Sequence, residues 1–343
     1  MTIAPADYFM ELYHCVRALS DWYNQEMAEL ENQRREAGAD ERQQIQQRID
    51  DVHRQLVQRL KDGATTASQI LASGVVNAVT VWFLADLPRK KEARDAYQGI
   101  VREVSSVGLQ LPLELKSKLE PRFTTLPDPS WLALEIDFVL QTPWYSKDDR
   151  SFHVLDNPVR KDRVFGVPYM SAASWKGLLR WACRMKGGGQ DPPWILHLFG
   201  NEKGEEEAFQ RGALAFYPTW FSKIDFEVIN PHSRKTRAGT LPIYYEVVPT
   251  GTYGMLRLLY APLPGAAARN KVKPEEAIEH LLDAIQELLK TYGISAKRTV
   301  GWGTAEITQW RAYKKDCTEI REDSLDKFKK LVRSWLSSKG GRP

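Results

Sequence analysis

The sequence is poor in the residues on which disulfide and metal chemistry depend. Of its 343 residues, three are cysteines and six are histidines. Because Cys15, Cys183 and Cys317 lie far apart, we expect neither a disulfide scaffold nor a CxxC zinc knuckle, and the thiols fit a reducing cytoplasm. The histidines are dispersed, so no spacing predicts a metal site, and nothing in the sequence predicts a cofactor.

A long apolar run is also missing. The best stretch, residues 75–87, is interrupted by Asn77, Thr80 and Asp86, and it is shorter than the roughly 20 residues that a membrane span needs. The first residues, MTIAPADYF, lack a basic segment followed by an apolar one, so no secretory signal is expected. These features predict a protein without a membrane partner.

Common enzyme signatures are absent from the sequence as well. The motifs HExxH, GxSxG, DFG and GxxxxGK(S/T) do not occur, which argues against the enzyme classes that they mark. The stretch 143–165 leaves catalysis open, because it contains Asp148, Asp149 and His153, and an acid with a histidine can act in acid–base cleavage. Acidic pairs after a strand are more often solvated turns, so both interpretations stand.

The charge of the chain is unevenly distributed. The net charge of +4 results from 48 Lys and Arg against 44 Asp and Glu. Residues 1–105 carry 13 basic and 16 acidic side chains, a net charge of −3, whereas residues 106–343 carry 35 and 28, a net charge of +7. Residues 150–186 hold eight basic side chains against two acidic ones. A block of this kind can bind a polyanion, although most are ordinary solvated surface.

Residues 1–105 have the apolar periodicity of helices. Apolar side chains recur every three or four residues over 9–30 and again over 45–60, which predicts a helical hairpin with one apolar seam. Further helices are predicted at about 67–87 and 91–104. None of these segments carries a catalytic pattern.

From residue 130 the pattern becomes mixed α and β. Strands are predicted at 131–141, 212–218, 241–248, 253–260 and 302–310, and helices at 174–186, 274–292 and 324–336. With short hairpins grouped, the order is β-α-β-β-α-β, which is typical of a ferredoxin-like (RRM-like) fold of the α+β class. The predicted organisation is a helical region 1–105, a Pro-rich connector 106–129, an α+β domain 130–316 with an insertion 219–242, and a C-terminal helix and tail 317–343.

The helix predicted at 174–186 has one basic face. Lys176, Arg180 and Arg184 are spaced four residues apart and therefore share a face, while apolar side chains occupy the other. Ser171 and Ser174 lie at the start of the helix, where hydroxyls and backbone N–H groups can meet a phosphate. The pattern fits an anion-binding helix and a plain amphipathic helix equally well.

Two loops carry further basic side chains. The loop 293–303, GISAKRTVGWG, contains Lys297, Arg298, Gly301, Trp302 and Gly303 and can present backbone N–H groups to a phosphate chain. The segment 230–239, NPHSRKTRAG, lacks apolar periodicity and is predicted to protrude; its basic residues are His232, Arg234, Lys235 and Arg237. A β-turn and an exposed flexible loop are the simpler interpretations of these two segments.

Four segments, in this order, resemble the RAMP superfamily of CRISPR-associated proteins, which form the backbone of type III RNA-guided effector complexes. MSAASWKGLLR, residues 170–180, resembles the family's I-P-G-S-S-x-K-G-x-x-R helix start. Residues 198–218 resemble its L-F-G segment and G-x-L-x-F strand, 225–251 its N-P-H segment and following strand, and 293–307 its C-terminal glycine-rich loop. The resemblance covers about residues 130–312.

The resemblance implies an RRM-like core that binds single-stranded guide RNA along its phosphate backbone and contributes to target RNA recognition together with other effector subunits. The residues implied to contact guide-RNA phosphates are Ser174, Lys176, Arg180, Lys297 and Arg298, with Gly301 and Gly303 shaping the loop. The hairpin that holds His232, Arg234, Lys235 and Arg237 is implied to be a thumb that enters the guide–target duplex. The D-x-x-x-x-N-P-H pattern at 225–232 most resembles the terminal backbone subunit, the sixth of the Cmr complex, which is not itself a nuclease.

The sequence departs from the family pattern in two places. The helix start reads SAAS, so Ser171 stands where the family has proline and is a candidate on its own chemistry only. The long loop after the first strand leaves an endonuclease open, either cutting target RNA through Asp148 or Asp149 or processing guide RNA through His153. The N-terminal helices lie outside the shared core and are predicted to dock a neighbouring subunit. A scaffold that never touches RNA is a third interpretation.

Overall fold

A computed structural model describes residues 5–71, 90–113, 116, 119–121, 123, 126–149, 153, 155–162, 165–186, 192–201, 211–230, 242–264, 266–269, 271–315 and 319–337. The helices are α1 Pro5–Glu36, α2 Ala39–Leu71, α3 Lys90–Val107, α4 Ala172–Lys186, α5 Pro193–Phe199, α6 Ala266–Arg269, α7 Pro274–Glu287 and α8 Leu325–Ser337. The strands are β1 Leu132–Leu140, β2 Tyr169–Met170, β3 Leu214–Phe216, β4 Thr219–Trp220, β5 Asp225–Ile229, β6 Ile243–Val247, β7 Tyr253–Tyr260, β8 Ala305–Tyr313 and β9 Glu319–Glu322.

The chain divides into two compact units. The first unit comprises Met1–Pro112, Lys147–Val167 and Lys223–Val247, and the second comprises Leu113–Ser146, Pro168–Ser222 and Val248–Pro343. The predicted regional boundaries at 105, 129 and 316 stay a prediction. None of the described helices is both long and apolar enough to cross a bilayer.

A five-stranded antiparallel sheet in the order β3-β7-β1-β8-β9 forms the centre of the second unit. In the chain, α4 lies between β1 and β3, and α7 lies between β7 and β8. The first four strands of this order therefore have the ferredoxin-like arrangement, and the predicted β-α-β-β-α-β order is confirmed. The short strands β2 and β4 pair separately in the same unit.

Two strands differ from the prediction. The strand expected at 302–310 is found at Ala305–Tyr313, and it is followed by the edge strand β9, whose short polar sequence EIRE buries only Ile320 and therefore gives little periodicity. The strand expected at 241–248 is found as β6, Ile243–Val247, and it pairs with β5.

The central strand β1 has one fully apolar face. Five alternating side chains point to that face and are completely buried: Leu132, Leu134, Ile136, Phe138 and Leu140. On this face Phe138 meets Trp175 of α4 edge to face, with ring centroids 6.2 Å apart. Each such aliphatic side chain contributes roughly 1.5–3 kcal/mol on burial, so this face is the main hydrophobic core of the unit.

The first unit contains the predicted helical hairpin. The α1 side chains Tyr23, Met27 and Leu30 and the α2 side chains Ile49 and Leu56 are all buried, which confirms the apolar seam over these residues. The Nε2 atom of His53 and the hydroxyl of Tyr23 lie 2.8 Å apart across the seam. The third predicted helix, at 67–87, falls mostly outside the described residues.

A buried ion pair joins three segments of the first unit. The Nζ atom of Lys161 donates to the two carboxylate oxygens of Glu246 at 2.6 and 2.7 Å and to the hydroxyl of Tyr97 at 2.7 Å. Tyr97 donates to the same carboxylate at 2.7 Å, and so does the backbone N–H of Val159 at 3.0 Å. The pair thus ties α3, the 147–167 segment and β6 together.

The environment of Glu246 favours its charged form. Burial alone raises the pKa of Glu246, but the charges of Lys161 and His153 and the hydrogen bonds from Lys161 and Tyr97 outweigh burial and hold the pKa below its ordinary value. The folded state therefore gains stability from this carboxylate above its unfolded-state pKa and loses it as the pH falls through the lower folded-state pKa.

Removing the carboxylate of Glu246 should destabilise the first unit severely. Glu246→Ala leaves the ammonium of Lys161 buried without its counter-charge, for which we expect a loss of about 3–5 kcal/mol in the free energy of unfolding. Urea denaturation at neutral pH measures this loss. Glu276→Ala, which breaks the exposed ion pair with Lys273, is the control and should leave the midpoint unchanged. Equal midpoints for the two variants would contradict the role of the buried pair.

Candidate nucleic-acid interface

The sheet face opposite the helices is occupied by an internal ion network. Glu135 and Asp137 of β1 are almost completely buried. Arg257 of β7 lies 3.3 Å from Glu135, and Arg311 of β8 lies 2.7 Å from Asp137 and 3.4 Å from Glu135. The hydroxyl of Tyr253 donates to Asp137. The arginines of this face are already bound to its carboxylates, so the sheet face is a poor surface for a nucleic-acid backbone.

The two serines predicted at the helix start cap α4. The Ser171 hydroxyl oxygen accepts the backbone N–H of Ser174 at 3.1 Å, and the two hydroxyl oxygens lie 2.9 Å apart. The first turn of α4 contains no acidic residue. Both serines are partly exposed, so this helix end combines hydroxyls, the positive end of the helix dipole and no opposing negative charge.

The three cations predicted on α4 have different surroundings. Lys176 is exposed, and its side chain forms no hydrogen bond or ion pair with any part of the chain that the structure describes. Arg180 is partly buried and donates to the carbonyl oxygen of Gly200 at 3.0 Å, at the C-terminal end of α5. Arg184 is also partly buried. The uniform basic face predicted from the four-residue spacing is therefore divided, because Arg180 binds a neighbouring helix end.

Hydrogen bonds from another segment hold the glycine-rich loop 293–303 in one conformation. The indole N–H of Trp144 donates to the carbonyl oxygen of Ile294 at 3.0 Å. Ser295 binds the backbone of Tyr145 twice, donating through its hydroxyl at 3.0 Å and accepting the Tyr145 N–H at 3.1 Å. Within the loop, the N–H of Ile294 donates to the carbonyl of Gly303 at 2.9 Å. The segment that follows β1 therefore holds the loop in place.

Two glycines are required for this closure. A Cβ atom on Gly303, whose φ is +88°, would lie 2.4 Å from the backbone nitrogen of Ser295. A Cβ atom on Gly293, whose φ is +77°, would lie 2.6 Å from the carbonyl oxygen of Trp302. The two ends of the loop can approach this closely only because neither residue has a side chain.

The fold brings the loop and α4 together at Arg298. This residue begins a short 3₁₀ turn, Arg298–Val300, and its guanidinium carbon lies 4.4 Å from the centroid of the Trp181 ring on α4. Lys297, Arg298 and Trp302 are all partly exposed, and Gly301 is exposed. Two of the sequence-predicted groups, the helix and the glycine-rich loop, thus belong to one surface.

The other predicted residues belong to the first unit or fall outside the described residues. The residues predicted to form a thumb, His232, Arg234, Lys235 and Arg237, fall in 231–241, outside the described residues. The strands before and after this segment, β5 and β6, pair with each other. Asp148 is buried, its Oδ1 accepts the backbone N–H of Asp149 at 2.9 Å, and Asp149 is exposed. In His153, Nδ1 accepts the N–H of Leu155 at 3.0 Å and Nε2 lies 3.4 Å from the hydroxyl of Tyr97.

One protein family matches part of this chain. Residues 137–306 match the family model of the RAMP superfamily. Over these residues the chain is similar to that superfamily. The matched residues include the last part of β1, all of α4 and α7, and the glycine-rich loop. Of these, α4 and the loop form the surface described above.

Solved structures also resemble the chain at low identity. One is a chain of the Type III-B Cmr-beta complex bound to cognate target RNA, with 16% identity, a TM-score of 0.41 and coverage of 76% of this chain and 92% of that one. Another belongs to a Csm3-Csm4 subcomplex of the type III-A CRISPR-Cas interference complex, with 17% identity, a TM-score of 0.38 and coverage of 62% and 97%. A third belongs to a CRISPR RNA-guided surveillance complex, with 14% identity, a TM-score of 0.41 and coverage of 62% and 76%. No curated protein matches the chain significantly.

The sequence pattern does not reveal the residues that support the surface formed by α4 and the glycine-rich loop. Ser295, Trp144 and Tyr145 fix the loop, and Trp181 contacts Arg298. Ser295 lies inside the loop motif, but its partners are 150 residues away in the chain, so no local spacing indicates its role. The apolar periodicity places Trp181 on neither face of the helix. An aromatic residue close in sequence to three cations nevertheless indicates a cation–π contact.

Replacing Gly303 by alanine should destabilise the protein more than replacing Gly301 by alanine does. Gly301 also has a positive φ, +83°, but a Cβ atom there meets nothing within 4 Å. Gly301→Ala should therefore cost only the left-handed backbone penalty of about 1–2 kcal/mol, whereas Gly303→Ala adds a clash with Ser295. Thermal unfolding of both variants measures the difference. A Gly303→Ala variant as stable as Gly301→Ala would contradict the described loop closure.

Proposed function

We propose that the chain is an RNA-binding backbone subunit of a type III CRISPR effector complex. It binds guide RNA along the phosphate backbone without reading its sequence, contributes to recognition of target RNA, and works in the cytoplasm beside other effector subunits. The terminal backbone position of a Cmr-type complex is the placement that the N-P-H segment favours. No metal or cofactor is needed for this function.

The observation that carries the proposal is a pair of cations without acidic partners. Lys176 on α4 and Arg298 on the glycine-rich loop make no ion pair and no side-chain hydrogen bond with the described residues. The described cations elsewhere in the same unit are often paired: Arg257 and Arg311 with Glu135, Lys290 with Glu306, Lys329 with Asp283 and Arg333 with Glu279. Cations without protein partners on one surface fit a phosphate chain.

The surroundings of these two cations support the same ligand. The capped N-terminal end of α4 adds two partly exposed hydroxyls and the positive end of a helix dipole. Next to Lys176 in the chain, Gly177 is exposed on α4, and a Cβ atom there would meet nothing within 4 Å. Alanine would make a more stable helix at this position, so Gly177 does not stabilise the helix. The missing side chain leaves room for an RNA backbone to approach the helix closely.

The endonuclease interpretation receives less support from the described residues. Asp148 is buried and binds the Asp149 backbone, and both ring nitrogens of His153 have contacts with protein groups. A general base must reach the proton that it removes, and these contacts place the imidazole against Tyr97 and Leu155. The proposal is therefore a subunit that binds RNA and does not cut it.

RNA binding should depend on the two unpartnered cations. We expect Lys176→Ala and Arg298→Ala each to weaken binding of a single-stranded RNA oligonucleotide several-fold and to lower the slope of log Kd against log salt concentration by about 0.7 per lost phosphate contact. Fluorescence anisotropy over a salt series from about 50 to 200 mM measures both quantities. Oligonucleotides of different sequence should give similar affinities.

Matched controls are available in the same unit. Lys290→Ala and Arg333→Ala remove cations of the same types that are already paired with Glu306 and Glu279, and they should leave the RNA affinity nearly unchanged. Equal losses in all four variants would indicate non-specific attraction to a basic protein. Unchanged affinity in all four would contradict the proposed function.

Target RNA should remain uncut by this subunit. In the assembled complex with guide RNA, Asp149→Asn should change neither the binding nor the integrity of a labelled complementary RNA, because the exposed carboxylate has no assigned role in binding. Gel analysis of the labelled RNA over time provides the measurement. Cleavage that occurs with the natural sequence and disappears in Asp149→Asn, with binding retained, would overturn the non-enzymatic proposal in favour of the target-cutting alternative.

A further inference from the structure

The guanidinium of Arg298 rests on an aromatic ring of another element. Its central carbon lies 4.4 Å from the centroid of the Trp181 ring, within the range of a cation–π contact. Arg298 comes from the glycine-rich loop and Trp181 from α4, and both side chains are partly exposed. The contact therefore lies at the edge of the surface that also carries Lys176.

The Trp181 ring is itself held by a second aromatic ring. Tyr292 meets it edge to face, with ring centroids 5.0 Å apart and an interplanar angle of 75°. Tyr292 ends a π-helical turn, Leu288–Tyr292, that extends α7, and the N–H of Gly293 closes this turn on the carbonyl oxygen of Leu288 at 2.7 Å. The wider turn is an unusual element that often occurs at functional sites, and here it places Tyr292 against the tryptophan.

The nitrogen atoms of the Arg298 guanidinium differ in their surroundings. Its Nη1 atom is buried and has no hydrogen-bond partner, as expected for an N–H group lying against a ring. Within the described part of the chain, Nε and Nη2 form no hydrogen bond or ion pair, and they are not among the buried polar atoms without partners. The Nε–Nη2 edge is the pair of donors that binds two oxygens of one phosphate.

We propose that Trp181 is a positioning residue for RNA binding, because its ring fixes the guanidinium of Arg298 with the Nε–Nη2 edge directed to a phosphate. Long arginine side chains lose considerable rotamer freedom when they bind a ligand, and a ring that orders the guanidinium beforehand reduces that loss. This inference rests on the proposed function. It adds a residue that never touches RNA and acts only through Arg298.

A double-mutant cycle in the full-length chain tests the proposal. The variants are Trp181→Leu, Trp181→Phe, Arg298→Ala and the double variant Trp181→Leu/Arg298→Ala, and the probe is the single-stranded RNA oligonucleotide used above. We expect Trp181→Leu to weaken binding by about 3- to 10-fold and Trp181→Phe, which keeps an aromatic face, to weaken it less. In the Arg298→Ala background, Trp181→Leu should cause no further loss.

A purely structural role of Trp181 would give a different pattern of RNA affinities among the variants. Trp194→Leu is the control, because Trp194 is also a partly exposed helix tryptophan but stacks on His280, and it should not change the RNA affinity. An equal loss from Trp181→Leu with and without Arg298 would overturn the inference. So would an unchanged affinity in Trp181→Leu together with a loss in Arg298→Ala, and in that case the proposed function would stand. If neither Lys176→Ala nor Arg298→Ala weakens binding, both the proposed function and the inference fail.

Discussion

Two carboxylates in the central strand constrain much of the second unit. Glu135 and Asp137 lie on the same face of β1 and are almost completely buried, so each costs free energy unless a cation and hydrogen-bond donors compensate for the lost water. Antiparallel neighbours on both sides of β1 supply them, since Arg257 and Arg311 lie directly opposite Glu135 in the two registers. A one-residue slip of either neighbour would move its arginine to the apolar face, so the ion network and the hydrophobic core together fix the register.

This network also determines where a polyanion can bind. In a sheet whose open face is uncharged, aromatic side chains of the central strands can carry nucleotides. Here the same positions hold carboxylates that are already neutralised by arginines, and the hydroxyls of Tyr253 and Tyr313 are bound to them. Burial and the nearby carboxylates raise the pKa of Tyr313 to about 12, so this hydroxyl stays protonated and remains a donor. Among the described residues, Lys176 on α4 and Arg298 on the glycine-rich loop are cations that make no ion pair and no side-chain hydrogen bond.

The sequence predicts the core elements well where the physical signal is local. Strand β7 is found at the predicted residues 253–260, and α4 and α7 are found within a few residues of their predicted starts, because apolar periodicity and a proline at the first turn of α7 are properties of short segments. The pairing of β6 with β5 could not be predicted in this way. The partner of β6 is a separate strand earlier in the chain, and no local signal within β6 identifies it.

The candidate site, like the fold, can be predicted from the sequence only where short segments determine its features. The sequence shows as motifs the cap at Ser171, the exposed Lys176 and the glycine-rich loop. Whether each cation has a protein partner depends on residues that are distant in the chain. Arg180 binds the end of α5, and Arg298 lies on Trp181, although the two arginines look alike in the sequence. A cation that already has a protein acceptor gains less from a phosphate than one that has none, because it must give up its partner first. The residues that bind RNA most strongly should therefore be those that the fold leaves without an acceptor, and folding, more than the count of basic residues, determines which ones they are.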